Sequence, residues 1–109
     1  MDCIFCKIIN KEINSDIIFE DEKTIVFKDI YPKAPVHWLI VPKKHIETHM
    51  EITEEDQELM GHLHIITQKV AKKNSINNYK LIMNCGYEAG QRVFHIHLHL
   101  LSGKILGEV

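Results

Sequence analysis

The sequence has no excess of positive charge. Thirteen Lys and Arg stand against 15 Asp and Glu, for a formal net charge of −2. Phosphate-backbone binding draws its affinity from clustered Lys and Arg, so no nucleic-acid partner is expected, and any phosphate contact has to be local. The sequence also lacks an apolar run near the ~18 residues of a membrane helix. Lys7, Asn10, Lys11 and Glu12 interrupt its start, which excludes a secretory leader and a membrane role from expectation. Cysteines number 3, an odd set, so reduced thiols in the cytoplasm are expected rather than a disulfide framework. Gly (5) and Pro (3) are too few and scattered to mark a linker, and no repeat is visible, so residues 1–109 are expected to form one domain. A domain this small buries only about 60–65% of its unfolded surface, so self-association would help its stability.

What is present reads as alternating elements. Cys3 to Lys11 suggests a short helix turning Ile4, Ile8 and Ile9 inward. Ile17 to Glu20 and Thr24 to Asp29 are β-rich runs around "DEK", a hairpin pattern. Val36 to Val41 is another strand, ended by Pro42. Glu54 to Lys73 is the strongest helix: Thr53 can cap it, acidic residues fill its first turn and Lys72 and Lys73 its last. Leu59, Leu63, Ile66 and Val70 make its buried stripe. Tyr79 to Met83 and Phe94 to Leu101 are the remaining strands. The order predicts an α+β domain with helices on one face of a mainly antiparallel sheet.

The chemistry concentrates in "VFHIHLHLL", residues 93–101, which holds three of the eight histidines. On a strand, His95, His97 and His99 share one face, while Phe94, Ile96, Leu98 and Leu100 pack under the helix. Upstream, Asn84, Gly86, Gly90 and Gln91 form a loop whose backbone N–H groups could cradle a phosphate. Three readings are open. The strand face could be merely solvated. Histidines at i, i+2 could hold a metal with an open position for water. A neutral imidazole could attack phosphorus, with its neighbours orienting it and moving protons.

Together, "CIFCKII", "IIFED", "DIYPKAPVHWLIVPKKHI", the central helix and "NCGYEAGQRVFHIHLHLL" cover most of the chain. The sequence resembles the histidine triad family, Hint branch. The resemblance implies a five-stranded, two-helix subunit that pairs as a homodimer through the long helix and a strand edge. It also implies hydrolysis of purine nucleoside phosphoramidates at the P–N bond, releasing AMP, with the nucleoside monophosphate as partner and no organic cofactor. His97 would be the nucleophile and become nucleotidylated, and His99 would contact the phosphate or the leaving-group oxygen. His45 would join His95 beside it. Ile4, Phe5, Phe27, Asp29 and Ile30 would hold base and ribose, and Asn84, Gly90, Gln91 and Arg92 would lie at the phosphate.

Cys3 and Cys6 have C-x2-C spacing, which alone fits a pair of small buried residues as well as zinc. Relatives with such a pair imply a Cys2His2 zinc site, here Cys3, Cys6, His45 and His95, closed and structural. Two alternatives share the scaffold: a dinucleoside polyphosphate hydrolase or nucleotidyl transferase, and a non-catalytic nucleotide-binding adaptor. Arg92 stands where relatives often carry a small hydroxyl residue, and Ala89 where glycine is frequent. The chain has no Trp-bearing segment after the triad, so leaving-group preference does not transfer. His62 and His64 point apart on a helix and suit surface or interface roles. His37 and His49 could lie near the site, but nothing singles them out. Cys85, Trp38 and Phe94 read as core, and "PKK" at 42–44 as a solvated turn.

Overall fold

The structure, a computed structural model, describes residues 2–109. A short helix α1 (Ile4–Ile9) is followed by strands β1 (Ile17–Glu20), β2 (Thr24–Lys28) and β3 (Val36–Pro42). Helix α2 (Gln57–Lys73) and strands β4 (Lys80–Ile82) and β5 (Leu98–Ser102) complete the order. The strands form one sheet in the order β1-β2-β3-β5-β4, with every neighbouring pair antiparallel.

Local chemistry accounts for the elements. At the β1–β2 turn the Asp21 carboxylate accepts the N–H groups of Lys23 (2.9 Å) and Thr24 (2.7 Å), the side-chain turn that Asp favours. Asp56 closes the entry to α2 by accepting the N–H of Thr53 at 3.0 Å, after one 3-10 turn at Glu54–Asp56. Asp56 is buried and Lys44 reaches it at 2.6 Å, which holds the carboxyl below its usual range. The stripe Leu63, Ile66 and Val70 is buried, joined by Ala71, while Leu59 is half-buried.

The sheet is covered on both faces, which corrects the one-face arrangement expected. Strand parity explains it. Val26, Trp38, Ile40, Leu98 and Leu100 face α2, and Ile25, Phe27, Leu39 and Val41 face α1 with Cys3, Phe5 and Ile8. Both faces of β2 and β3 are apolar, so a single helical layer would leave one face wet. The α1 helix turns Phe5 and Ile8 inward, whereas Ile4 is 45% exposed.

The last strand is shorter than its alternating pattern suggests. It begins at Leu98, because pairing with β3 runs only from Ile40↔Leu98 to Val36↔Ser102. His95 and His97 precede it in irregular backbone. The alternation of burial still holds through Ile96, Leu98 and Leu100 but fails at Phe94, which is 40% exposed rather than core. Trp38 is buried as expected. Among the described residues, no helix is long and apolar enough to cross a membrane.

Candidate active site and metal cluster

The α1 face of the sheet carries the histidines. Leu39 pairs with His99 and His37 with Leu101, so His37 and His99 project side by side between α1 and the end of β5. His97 follows on the same side, with ring centroids 4.8 Å from His99 and 5.0 Å from Phe5 of α1. His95 turns deeper and is wholly buried.

Hydrogen bonds fix the tautomer of each ring, because a carbonyl can only accept and an amide N–H can only donate. The Nδ1 of His97 lies 2.7 Å from the His95 carbonyl oxygen, so Nδ1 carries the proton and Nε2 keeps its lone pair. The Nε2 of His95 lies 2.7 Å from the Pro42 carbonyl oxygen, so its lone pair is on Nδ1. The Lys33 backbone N–H donates to Nδ1 of His37 at 3.0 Å, which leaves Nε2–H of His37 to donate to Nδ1 of His99 at 2.9 Å. His99 therefore presents Nε2–H. One ring offers a nucleophilic nitrogen and its neighbour a donor, the pairing that displacement at phosphorus requires.

Burial keeps these rings neutral. It pushes His97 and His37 below the usual imidazole range. It holds His99 down to about 4, helped by the neighbouring His97 and His37 rings.

A second cluster lies behind the first. Nδ1 of His95 faces Cys3 Sγ at 3.4 Å, Cys6 Sγ at 3.6 Å and Nδ1 of His45 at 3.1 Å, and Cys6 Sγ lies 3.4 Å from Nδ1 of His45. All four donor atoms lie within 4.8 Å of one another. A tetrahedron with metal–N near ~2.0–2.1 Å and metal–S near ~2.3 Å has edges of roughly 3.3–3.8 Å, so the spacing fits a metal ion. The donor set and tautomer fit too: His95 gives its other ring N–H to a backbone carbonyl, the usual arrangement behind a metal ligand. Cys3, Cys6, His45 and His95 are thus a group able to bind a metal.

Asp29, His37 and His99 also bring three donors within 4.8 Å. There the tautomer is wrong. The Lys33 amide occupies Nδ1 of His37, so the Nε2 facing His99 and Asp29 Oδ2 (3.4 Å) bears a proton. A metal at Nε2 would force Nδ1–H against the amide N–H. The trio is a hydrogen-bonded set rather than a metal site.

The expected phosphate loop needs correction. Gly90 N–H donates to Tyr87 O (3.0 Å) and Gln91 N–H to Gly86 O (3.0 Å). The Gln91 side chain is buried, accepting the Gly86 N–H at 2.8 Å and donating to Glu47 O at 2.7 Å and Val93 O at 3.1 Å. Gln91 therefore ties the loop together and has no donor left for a ligand. Gly86 and Gly90 have φ of +92° and +103°, and a Cβ on Gly90 would meet Asn84 Nδ2 at 3.3 Å. Among the described residues neither the Asn84 amide nor the Arg92 backbone N–H has a hydrogen-bond partner. The Arg92 guanidinium folds back, 4.0 Å over the Tyr87 ring and 2.8 Å from Tyr87 O. Ala89 has no positive φ, so a β-carbon there is harmless.

Elsewhere, Phe5 and Phe27 are buried and meet edge to face at 5.5 Å, while Ile4 and Ile30 are exposed beside them. Asp29 accepts the Tyr31 N–H on Oδ1 at 2.7 Å. His62 is tied to Asp21 at 2.7 Å, away from the site. The sequence does not single out His37, which the structure brings against His99. Its signal is β3 parity with Leu39 and Val41, useful only once the register against β5 is known.

A family model described as "Scavenger mRNA decapping enzyme C-term binding" matches residues 2–108. An uncharacterized HIT-like protein of Chlamydia trachomatis is 46% identical over 110 residues, covering 100% of this chain and 99% of that protein. The chain belongs to the HIT-like, or histidine triad, family. A HIT family hydrolase from Clostridium thermocellum superposes with a TM-score of 0.95 at 48% identity, covering 99% of this chain and 96% of that one. A histidine triad nucleotide-binding protein from Candida albicans superposes with a TM-score of 0.81 at 34% identity, covering 99% and 85%. The triad of this HIT protein is His95, His97 and His99. Its first member serves the cysteine cluster with its ring and the second member with its carbonyl.

Proposed function

We propose that this chain is a purine nucleoside phosphoramidase that works through a nucleotidyl-His97 intermediate. The observation that carries the reading is the tautomer set: Nδ1–H of His97 is held by the His95 carbonyl at 2.7 Å, leaving Nε2 unprotonated beside the donor Nε2–H of His99.

The nucleoside would lie against Ile4, Phe5, Phe27 and Ile30, with Asp29 accepting from the ribose hydroxyls. Asn84 and the Arg92 backbone N–H would donate to the phosphate, and Gly90 would leave room for Asn84. Nε2 of His97 attacks phosphorus, the P–N bond breaks, and the amine leaves with a proton drawn from solvent. The imidazolium that forms keeps its Nδ1–H on the His95 carbonyl. Nε2–H of His99 stabilises charge on the phosphoryl oxygens. Water then attacks phosphorus, releases AMP and restores neutral His97. Neutrality of these buried rings favours the nucleophile, since a protonated His97 could not attack. The metal would be zinc, held by Cys3, Cys6, His45 and His95, supplying structural order to the site from four protein ligands.

The second reading is hydrolysis or transfer on a dinucleoside polyphosphate. An amide is favoured because the phosphate loop spends its Gly90 and Gln91 N–H groups internally, which leaves few donors for a longer phosphate chain. The kcat/KM for adenosine 5′-phosphoramidate is expected to exceed that for a diadenosine polyphosphate at least about tenfold, roughly 1.4 kcal/mol of transition-state binding. A reversed ratio would sink the phosphoramidase reading.

The homodimer belongs to the same proposal. The outer side of α2 carries Ile65, 49% exposed, and a cavity of about 340 Å³ opens between Met60, His64, Ile52 and Met83. Sedimentation is expected to give twice the 12.7 kDa chain mass, and a monomer at micromolar concentration would refute it.

A further inference from the structure

We propose that Cys3, Cys6 and His45 are positioning residues for the reaction: through His95, and through Ile46 next to His45, they set the orientation and tautomer of His97. The proposal rests on reading His97 as the nucleophile.

The argument starts from what holds the nucleophile in place. Sheet pairing begins only at Leu98, so no ladder fixes the backbone around His95 and His97. The backbone bond that ties this stretch down is Ile96 N–H to Ile46 O at 2.8 Å, and because that N–H shares a planar peptide unit with the His95 carbonyl, Ile46, the residue after His45, sets the carbonyl's direction. That carbonyl accepts Nδ1–H of His97 at 2.7 Å, and its direction decides which His97 nitrogen is left to attack. The His95 side chain anchors the same residue from within. Its ring is wholly buried, with Nε2–H on the Pro42 carbonyl at 2.7 Å and Nδ1 among Cys3 Sγ, Cys6 Sγ and His45 Nδ1.

The cluster also fixes His97 from its other side. Cys3 caps α1, and the Cys6 N–H donates to Cys3 Sγ at 3.4 Å. Phe5 sits between the two cysteines and meets the His97 ring edge-on at 5.0 Å. Binding one ion to Cys3, Cys6, His45 and His95 would therefore lock α1 to the triad segment. It would clamp His97 between the Phe5 ring and the His95 carbonyl. In this segment the cluster does what strand pairing does elsewhere in the sheet.

The test compares the zinc-loaded wild type, the wild type stripped by a chelator, and the Cys3→Ser/Cys6→Ser double variant. Two readouts are taken: ring ¹⁵N shifts of His97 by NMR, and kcat and KM on adenosine 5′-phosphoramidate. The loaded protein is expected to hold His97 wholly as the Nδ1–H tautomer. The stripped protein and the variant are expected to show mixed tautomers and a kcat about ten- to hundredfold lower, with KM moved about twofold or less. An unchanged tautomer with unchanged kcat in either would overturn the proposal. So would global unfolding of both, since the cluster would then hold the fold and not His97. If the wild type never cleaves the amide, the phosphoramidase reading fails, and the tautomer shifts alone still decide this one.

Discussion

His97→Ala is expected to lower kcat for AMP release from adenosine 5′-phosphoramidate by about four orders of magnitude or more, while nucleotide affinity stays within a few-fold. Removing a covalent nucleophile leaves only binding and electrostatic stabilisation, and losses of this size follow when such a residue is deleted. Four decades correspond to about 5.4 kcal/mol of transition-state stabilisation. Nucleotide binding should survive because the base and ribose contacts proposed lie on Phe5, Phe27, Asp29 and Ile30. The fold should survive as well. His97 closes the top of the α1-facing side, while the apolar clusters beneath α1 and α2 are built from other residues. Single-turnover kinetics with AMP binding measured in parallel separates the effects. A variant that keeps more than a tenth of wild-type kcat would remove His97 from the chemistry.

The second large effect is acid lability centred on His99. Its folded pKa is held down to about 4 by burial, with His97, His37 and Lys33 pushing the same way and Asp29 opposing them. An unfolded histidine titrates near ~6.5, so between about pH 6.5 and 4 the unfolded chain takes up a proton that the folded protein refuses. Stability is whole above the unfolded value and falls as pH drops towards the folded one. The loss accumulates between those two values. The lowered pKa of His37 adds in the same direction. Denaturant midpoints measured from pH 7.5 to 4.5 are expected to fall steadily below about 6.5, and His99→Gln should flatten the slope. A slope equal in His99→Gln and wild type would contradict this role of His99.

Much of the site is legible in the sequence because strand parity is a local rule. The alternation of His97 and His99 with Leu98 and Leu100 places histidines towards α1 and apolar side chains towards α2. Glu20, Thr24 and Val36 bound their strands as the turn and proline signals say. What parity cannot give is register. His37 comes to support His99 only because β3 pairs Leu39 with His99, a fact about two segments 60 residues apart. The strand start at Leu98 and the exposure of Phe94 fail for the same reason: the partner strand, not the pattern, decides where pairing stops. The loop misled differently. Gly90 and Gln91 have the composition of a phosphate cradle, but their N–H groups close the turn itself, and the Gln91 amide is used to hold Glu47 and Val93. The two-sided cover of the sheet was readable from the apolar run Trp38 to Val41 in β3, a pattern that belongs to strands buried on both faces.

The central claim is that His97 forms the bond to phosphorus. The direct measurement is mass spectrometry of peptides from protein mixed with adenosine 5′-phosphoramidate and quenched in denaturant at high pH within one turnover. The account predicts an adenylyl group on the peptide carrying residues 95–99, assigned by fragmentation to His97 and absent in His97→Ala. An adduct on His99 or His95, or turnover with no adduct at any quench time, would contradict it.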